Sequence, residues 1–219
     1  EKPGDLNDLN LHKLQLKLAN KLSKCGKPII LVLNIGRPRL ISEIEPFMSA
    51  VLNIYLPGNL GADALVDIIN GKVNPSGKLP YTYPAFPNSL TTYYYKPSEV
   101  QNNSQGAYNY VGKLNNLYEF GYGLSYTNFE YKDITIEDDS IDASDSLNIS
   151  LTVYNSGDTD GQEVVQVYVS DQFASITPDN KRLRAFDKVF IKSGENKKVS
   201  FTIPVKDFSF VNLENKYDL

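Results

Sequence analysis

The hydrophobic pattern of the chain changes its period midway, and this change constrains the fold more than any other feature. Residues 28–36, PIILVLNIG, and residues 50–56, AVLNIYL, are short apolar runs that predict strands buried on both faces, as in a parallel sheet. The leucine spacing over residues 6–25 predicts an amphipathic helix, and residues 40–50 and 61–71 predict two further helical segments. Strands and helices that alternate through short turns are typical of an α/β domain.

Beyond residue 72 the helical period is absent. Residues 73–89 are rich in proline and predict an extended connector. Residues 146–157 and 163–171 alternate apolar and polar side chains, and residues 187–204 predict a hairpin that turns at residues 193–196. Short alternating strands at this spacing predict an antiparallel sandwich of the immunoglobulin or fibronectin type.

These patterns predict two domains joined by a connector. We expect part of an α/β sandwich domain, with a parallel sheet, over residues 1–84. A connector rich in Tyr and Asn follows over residues 85–124, and an all-β sandwich resembling immunoglobulin and fibronectin type III domains covers residues 125–219. We expect this sandwich to lack its last strand.

Composition excludes several classes of function. The net charge of −4 argues against a nucleic-acid partner, and no apolar run reaches the length of a membrane span. The single cysteine, Cys25, excludes a disulfide framework and a cysteine-rich metal site. The single histidine, His12, excludes an HExxH zinc site and disfavours a Ser-His-Asp triad. The glycines of GNLGADA lack the spacing of a nucleotide-binding loop. Together with the single cysteine and the single histidine, this leads us to predict neither a metal nor a cofactor.

Several blocks of the sequence, taken in order, closely resemble glycoside hydrolase family three, which includes β-glucosidases and β-xylosidases. These blocks are EKPGDLNDL, GKPIILVLNIGRPRLISEI, YLPGNLGADALVDIINGKVNPSGKLPYTYP and LYEFGYGLSYTNFEY. The blocks EVVQVYVSD and KRLRAFDKVFIKSGENKKVSFTI resemble the fibronectin-III-like domain that often follows in that family. The resemblance covers essentially the whole chain, but the blocks recur across the family and do not specify the sugar.

The resemblance implies a retaining mechanism that uses two carboxylates. The nucleophilic aspartate is implied to lie in an amino-terminal barrel, which is absent from this sequence. Glu1 of EKPGD matches a non-catalytic glutamate of the family's TEKPGD-like stretch, so the general acid/base glutamate is expected just before Glu1. We therefore name no catalytic residue within the chain, and its substrate-binding residues are unknown.

Two functions from different classes follow from these observations. In the first, the chain is the carboxy-terminal part of a β-glucosidase-like enzyme that removes terminal β-linked sugars. Its partners would be a β-glucoside or related oligosaccharide and the amino-terminal barrel of the same enzyme. The isolated chain would then be inactive, and the parent enzyme would be compatible with a periplasmic or secreted location. The alternative is a non-enzymatic module that binds a polysaccharide or a protein.

The residues near the start of the chain that could take part in catalysis each have a structural interpretation, which we favour. We expect Asp5 or Asp8 to begin a helix, where a carboxylate accepts backbone N–H groups, and Glu1 to be solvated. We expect His12 to lie on a helix surface and Cys25 to be an inert buried thiol.

Three further groups of residues have both a functional and a structural interpretation. Arg37 and Arg39 follow a strand, where they could support an active-site loop or pair with Glu43 or Glu45. Residues 55–61, YLPGNLG, could approach a substrate or turn the chain into the next helix. Many tyrosines could line a sugar subsite or attach the connector to the domains. They are Tyr93, Tyr94, Tyr95, Tyr108, Tyr110, Tyr118, Tyr122 and Tyr126. The sequons at 102–104 and 148–150 matter only in a eukaryotic secretory setting.

Overall fold

The computed structural model describes residues 8–87, 89, 91–100, 116–137 and 140–219. The chain forms two compact units that interleave along the sequence. The first comprises Glu1–Lys72, Tyr81–Thr91 and Leu114–Phe120. The second comprises Val73–Pro80, Thr92–Lys113 and Gly121–Leu219.

The first unit is the α/β part of the chain. Its elements are helix α1 (Lys13–Leu22), a short 3₁₀ turn (Ser23–Cys25), strand β1 (Ile30–Leu33), a second 3₁₀ turn (Glu45–Phe47), strand β2 (Ala50–Asn53), helix α2 (Gly61–Ile69) and strands β3 (Tyr83–Pro84) and β4 (Asn116–Tyr118). Strands β1 and β2 pair in parallel, with Ile30 opposite Ala50 and Leu33 opposite Asn53. This confirms the α/β class and the parallel sheet predicted from the two apolar runs.

Burial in the first unit differs from the expectation of strands covered on both faces. Leu33 is buried, but Ile30 is exposed and the other residues of β1 and β2 are only half-buried or exposed. In the described part of the chain this parallel sheet consists of β1 and β2 alone, so it has too few neighbours to cover both faces. The most buried side chains of this unit are instead those of Ile41, Ile44 and Tyr83, each no more than 2% exposed.

The second unit is a sandwich of two antiparallel sheets. Its strands are β5 (Phe129–Ile136), β6 (Ser146–Asn155), β7 (Gly161–Val169), β8 (Arg182–Ile191), β9 (Asn196–Pro204), β10 (Phe210–Val211) and β11 (Tyr217–Asp218), with a 3₁₀ turn at Val205–Phe208. One sheet has the order β5-β6-β9 and the other pairs β7 with β8, while β10 and β11 pair separately. Alternate residues of β6, β7, β8 and β9 fill a common core, which includes Val153, Val165, Ile191 and Phe201. The predicted β-sandwich class is confirmed.

The predicted hairpin over residues 187–204 is wrong. Strand β8 pairs with β7, and β9 pairs with β6, so the turn between them carries the chain from one sheet to the other. Gly194, with φ of 73°, donates its backbone N–H to the carbonyl of Asn155 at 3.0 Å. The alternation of apolar and polar residues cannot distinguish a hairpin from a crossing between sheets, because in both cases every second side chain faces the core.

The segment Val73–Pro80 is part of the second unit. Leu79 donates its N–H to the carbonyl of Tyr122 at 2.8 Å, and Gly121 donates back to the carbonyl of Leu79 at 2.8 Å. The Asn74 side chain accepts hydrogen bonds from Ser125 Oγ at 2.9 Å and from the N–H of Tyr126 at 2.8 Å. It also donates to the carbonyl of Asp160 at 3.0 Å, which ties the segment to the start of β7.

Candidate functional site

The carboxyl ends of β1 and β2 lie at one edge of the parallel sheet, where ligands gather in open α/β folds. Asn53, the last residue of β2, donates through Nδ2 to the hydroxyl of Tyr81 at 3.1 Å. Tyr55 also belongs to this group, since its backbone N–H donates to Asn53 Oδ1 at 3.4 Å and its hydroxyl lies close enough to that of Tyr81 to affect the pKa of Tyr81. We call Asn53, Tyr55 and Tyr81 the strand-edge cluster.

Burial raises the pKa of Tyr55 and of Tyr81 above the ordinary tyrosine value. Both phenols are neutral at physiological pH, as an unperturbed tyrosine already is, so they can donate and accept hydrogen bonds there. The strand-edge cluster suits recognition of hydroxyl groups and does not by itself perform acid-base chemistry.

Tyr55 adopts a left-handed backbone conformation, with φ of 52°. This conformation costs a residue with a Cβ atom roughly 1–2 kcal/mol, and backbone strain of this kind clusters at functional sites. The strained residue is thus also the one whose hydroxyl completes the strand-edge cluster.

Residues 55–61 form the turn from β2 into α2. Gly58 has φ of 71°, and the N–H of Gly61 donates to its carbonyl at 3.3 Å. A Cβ atom at Gly61 would lie 2.4 Å from a carbon of the Pro57 ring. The turn accounts for Gly58 and Gly61, which favours the structural interpretation for these two glycines, whereas Tyr55 belongs to the strand-edge cluster.

Arg39 joins the start of the described chain to the loop after β1. Its Nη1 donates to the backbone carbonyl of Asp8 at 3.1 Å. The N–H of Leu40 donates to the carbonyl of Leu9 at 2.9 Å, and Asn10 forms a parallel bridge with Leu40. Glu45, one of the acidic partners considered for the arginines, accepts a hydrogen bond from the Tyr118 hydroxyl at 2.7 Å.

The prediction that Asp5 or Asp8 begins the helix is wrong for Asp8. The residue that caps α1 is His12, whose Nδ1 accepts from the N–H of Leu14 at 3.3 Å. The Asp8 carboxylate instead accepts from the backbone N–H of Asn10 at 2.8 Å and from its side chain at 2.7 Å. Extended pairing of residues 9 and 10 with Leu40 delays the helix until Lys13. Glu1 and Asp5 lie outside the described residues.

His12 is exposed, as predicted, but it lies at the helix start rather than on the helix surface. Cys25 was expected to be buried, and this is wrong because the thiol is exposed. It lies in the 3₁₀ turn that follows α1, a helix with no buried residue, and Gly26 then ends the turn with φ of 65°. An amphipathic helix therefore does not guarantee a buried residue at its end.

The tyrosines at 93–95 attach their segment to β-sandwich residues within the second unit. The Tyr93 ring meets the Tyr168 ring edge-on at 6.0 Å, and its hydroxyl accepts from the N–H of Leu183 at 3.3 Å. The Arg182 guanidinium lies 4.5 Å from the centre of the Tyr94 ring. These contacts favour the structural interpretation. Tyr118 lies in β4, Tyr122 and Tyr126 are exposed, and Tyr108 and Tyr110 lie outside the described residues.

Of the two sequons, only the one at 148–150 lies among the described residues, and it is not on a loop. Asn102, Asn103 and Ser104 lie outside the described residues. Asn148 lies within β6, the middle strand of its sheet, and its Oδ1 accepts from Thr202 Oγ1 at 2.8 Å.

Among the described residues, no three His, Cys, Asp or Glu side chains come together as a metal site would require. None of the described helices is long and apolar enough to cross a membrane.

The sequence patterns do not point to Asn53, Tyr81 or Tyr83 as site residues. Asn53 is a polar residue at the end of an apolar strand, a position at which parallel sheets carry functional groups. The polar Asn53 at the end of the apolar run AVLN is the feature of the sequence that indicates this position. Tyr81 and Tyr83 lie in a proline-rich stretch, and only the pairing of β3 with β4 shows their place in the first unit.

Comparison with known families agrees with this architecture. The profile of the glycosyl hydrolase family 3 C-terminal domain matches residues 1–126, and that of a fibronectin type III-like domain matches residues 163–218.

Curated relatives cover nearly the whole chain. A lysosomal beta glucosidase of Dictyostelium discoideum is 35% identical over 100% of the chain and 27% of its own length. A beta-xylosidase of Formosa agariphila is 35% identical over 97% of the chain and 29% of its own length. A periplasmic beta-glucosidase of Salmonella typhimurium is 34% identical over 96% of the chain and 28% of its own length. The chain thus spans less than a third of each of these relatives.

Solved structures show the same correspondence. A beta-glucosidase from Listeria innocua in complex with isofagomine aligns with a TM-score of 0.88 and 32% identity, over 97% of this chain and 31% of that one. A beta-glucosidase from Erythrobacter marinus aligns with a TM-score of 0.88 and 37% identity, over 99% of this chain and 28% of that one.

Proposed function

The chain belongs to glycosyl hydrolase family 3, and we propose that it is the carboxy-terminal part of a retaining β-glycosidase. The parent enzyme would hydrolyse terminal, non-reducing β-linked sugars. The observation that carries this proposal is the match of residues 1–126 to the C-terminal domain of that family.

The proposed substrate class is a β-glucoside or a related oligosaccharide. Support comes from relatives described as beta-glucosidases, and from the beta-glucosidase of Listeria innocua, whose structures include complexes with glucose and with laminaribiose. The strand-edge cluster agrees with this class, because neutral phenol and amide groups can pair with sugar hydroxyls without competing for a proton.

A retaining glycosidase needs a nucleophilic carboxylate and an acid/base carboxylic acid about 5–5.5 Å apart across the scissile bond. We place the nucleophile in an amino-terminal barrel of the parent enzyme and the acid/base glutamate just before Glu1. Two carboxylates of the first unit have structural partners, since Asp8 accepts from Asn10 and Glu45 accepts from Tyr118. On this proposal the 219-residue chain is inactive by itself, because both reacting carboxylates lie outside it.

The first test uses the purified 219-residue chain and 4-nitrophenyl β-glucoside. We expect no release of nitrophenol above the rate without protein. Turnover that is lost in Asp8→Asn or Glu1→Gln would contradict the placement of the acid/base before the chain.

The second test is the intact mass of the protein in its native source, detected with an antibody against this segment. We expect a species several-fold heavier than the 24.5 kDa of this chain, with β-glucosidase activity that the antibody depletes. A native species of about this mass, without that activity, would overturn the enzyme and favour a binding module.

A further inference from the structure

We infer that Asn70 is a site of spontaneous deamidation, at which the side-chain amide is converted to aspartate or isoaspartate without an enzyme. The inference concerns the first unit alone and does not depend on the proposed function. Asn70 is followed by Gly71, and this is the single Asn-Gly pair in the 219-residue sequence. Glycine has no Cβ atom, so the backbone nitrogen that follows the asparagine is open to the asparagine side chain.

The reaction needs no group beyond this pair and water. The backbone nitrogen of Gly71 attacks Cγ of Asn70, and the bond from Cγ to Nδ2 breaks. Ammonia leaves with the proton that the Gly71 nitrogen gives up, so a succinimide ring remains. Water then opens the ring at either carbonyl carbon, which yields aspartate or isoaspartate at position 70. The sequence of steps involves no oxidation or reduction.

The structure leaves the pair accessible at the end of helix α2. Residues 69–72 are all exposed. A Cβ atom added to Gly71 would meet no atom within 4 Å apart from its neighbours in the chain. In the described part of the chain, no hydrogen bond holds the Asn70 side chain. The Asn70 amide can therefore rotate toward the Gly71 nitrogen.

A local opening of the backbone must precede the attack. Asn70 has φ of −81° and ψ of 1°, and the Gly71 N–H donates to the carbonyl of Ile68 at 2.9 Å. Ring closure requires ψ to change and this hydrogen bond to break. Both changes are confined to the exposed end of α2, where hydrogen bonds open at a small cost in free energy.

Asn155, which precedes Ser156, shows how the fold can prevent the same reaction. Asn155 is fully buried, and its Nδ2 donates to the carbonyls of Thr159 at 2.9 Å and Ile191 at 3.1 Å. The Ser156 nitrogen, which would be the attacking atom, donates to the carbonyl of Asn128 at 2.9 Å. Several buried hydrogen bonds must therefore break before Asn155 can react.

Asp160 and Gly161 form a second protected pair. An Asp-Gly pair can close the same ring with loss of water instead of ammonia. Here the Asp160 carboxylate accepts from the backbone N–H of Ser193 at 2.9 Å, and Gly161 is buried at the start of β7. Asn155 and Asp160 thus serve as internal controls for the accessible Asn70.

The product of deamidation would place a negative charge at the carboxyl end of α2, where the helix dipole disfavours it. The new carboxylate would lie three residues after Asp67, whose Oδ1 is 2.9 Å from Lys72 Nζ. Like charges at this spacing repel each other, and isoaspartate would also add a methylene group to the main chain. Both products should therefore loosen the last turn of α2.

The test compares the folded chain with the same chain in guanidinium chloride, in one mildly alkaline buffer. Tandem mass spectrometry of tryptic peptides follows each position with time, and methylation by protein isoaspartyl methyltransferase measures isoaspartate. In the folded chain we expect modification at Asn70 and none at Asn155 or Asp160. Denaturant should speed the reaction less than about 10-fold at Asn70 and more than about 100-fold at Asn155 and Asp160, because only the latter two lose a protecting fold.

The matched variant is Asn70→Gln, which keeps an amide but would have to close a larger and less favourable ring. It should abolish the modification at position 70 and leave the behaviour of Asn155 and Asp160 unchanged. If this variant does not fold, the wild-type chain in the two buffers decides the question.

Two outcomes would overturn the inference. Asn70 that reacts more than about 100-fold faster in denaturant would show that the end of α2 protects it. Modification of Asn155 in the folded chain at the rate of Asn70 would show that the fold does not select the site.

Discussion

Lys78 and Glu163 form an ion pair inside the second unit, with Nζ 3.2 Å from Oε2 and side chains only 17% and 12% exposed. Glu163 Oε1 accepts a hydrogen bond from the Tyr131 hydroxyl at 3.0 Å, and Lys78 also donates to the carbonyl of Gly123 at 2.9 Å. Burial, and then the charge of Glu163, raise the pKa of Tyr131 well above its ordinary value, so its hydroxyl remains a donor. The pair joins the segment Val73–Pro80 to strands β5 and β7.

Removal of Lys78 alone should strongly destabilise the second unit, because it leaves the Glu163 carboxylate desolvated without a cation. We expect Lys78→Met to lower the free energy of unfolding by about 3 kcal/mol in urea titrations. The control is Lys216→Met, since Lys216 and Glu214 are 72% and 71% exposed and such a pair contributes less than about 1 kcal/mol. The double variant Lys78→Met with Glu163→Leu should regain most of the loss. Equal effects of the two single variants would contradict this prediction.

Gly123 lies where the second unit has no room for a side chain. A Cβ atom there would lie 2.2 Å from the carbonyl oxygen of Gly77. We expect Gly123→Ala to destabilise the unit by about 1–3 kcal/mol, because the two backbone segments must separate. Gly77→Ala is the matched control, since a Cβ atom at Gly77 has nothing within 4 Å, and its effect should stay within about 0.5 kcal/mol. Thermal unfolding of both variants makes the comparison, and a harmless Gly123→Ala would show that the segments are not in close contact.

Asn155 is a fully buried polar residue at the end of β6. Its Nδ2 donates to the carbonyls of Thr159 at 2.9 Å and Ile191 at 3.1 Å, and its Oδ1 accepts from Thr127 Oγ1 at 2.5 Å. Asn155→Ala should destabilise the sandwich by about 3 kcal/mol, because it leaves several buried groups unsatisfied. Asn148→Ala, in the same strand, removes one exposed hydrogen bond to Thr202 and should cost about 0.5–1 kcal/mol. Chemical denaturation distinguishes the two, and similar losses would refute the proposed importance of the buried amide.

Asp179 should contribute a pH-dependent term to stability. Its partial burial alone would raise its pKa, but hydrogen bonds from Lys96 and Arg182 outweigh this and lower the pKa below the ordinary 3.8. A lowered native pKa means that the contribution is present above pH 3.8 and is lost as the pH falls from there through the native value. We expect the difference in unfolding free energy between wild type and Asp179→Asn to be constant near neutral pH and to shrink in acid. Lys96→Met should make the pH dependence of the unfolding free energy weaker, because it removes one of the hydrogen bonds that lower the pKa of Asp179. If the difference between wild type and Asp179→Asn grew in acid, the pKa of Asp179 would be raised in the folded protein and the prediction would be wrong.

Several elements could be predicted from the sequence because their cause is local. The leucine spacing before Gly26 predicts α1, and the apolar runs at 28–36 and 50–56 contain β1 and β2. The alternation at 146–157 and 163–171 matches β6 and β7. In each case the periodicity reports which side chains face a core, and that requirement acts within one element.

The sequence by itself thus determined the two fold classes, the order of most elements and the family, since these depend on local periodicity and on residues in a fixed order. Only the tertiary structure decided that β9 pairs with β6, that Arg39 reaches Asp8 and that Lys78 meets Glu163. The physical reason is that each of these contacts joins residues far apart in the chain. Whether two such groups meet depends on how the elements pack. The hydrophobic periodicity of one segment does not identify the segment that it contacts.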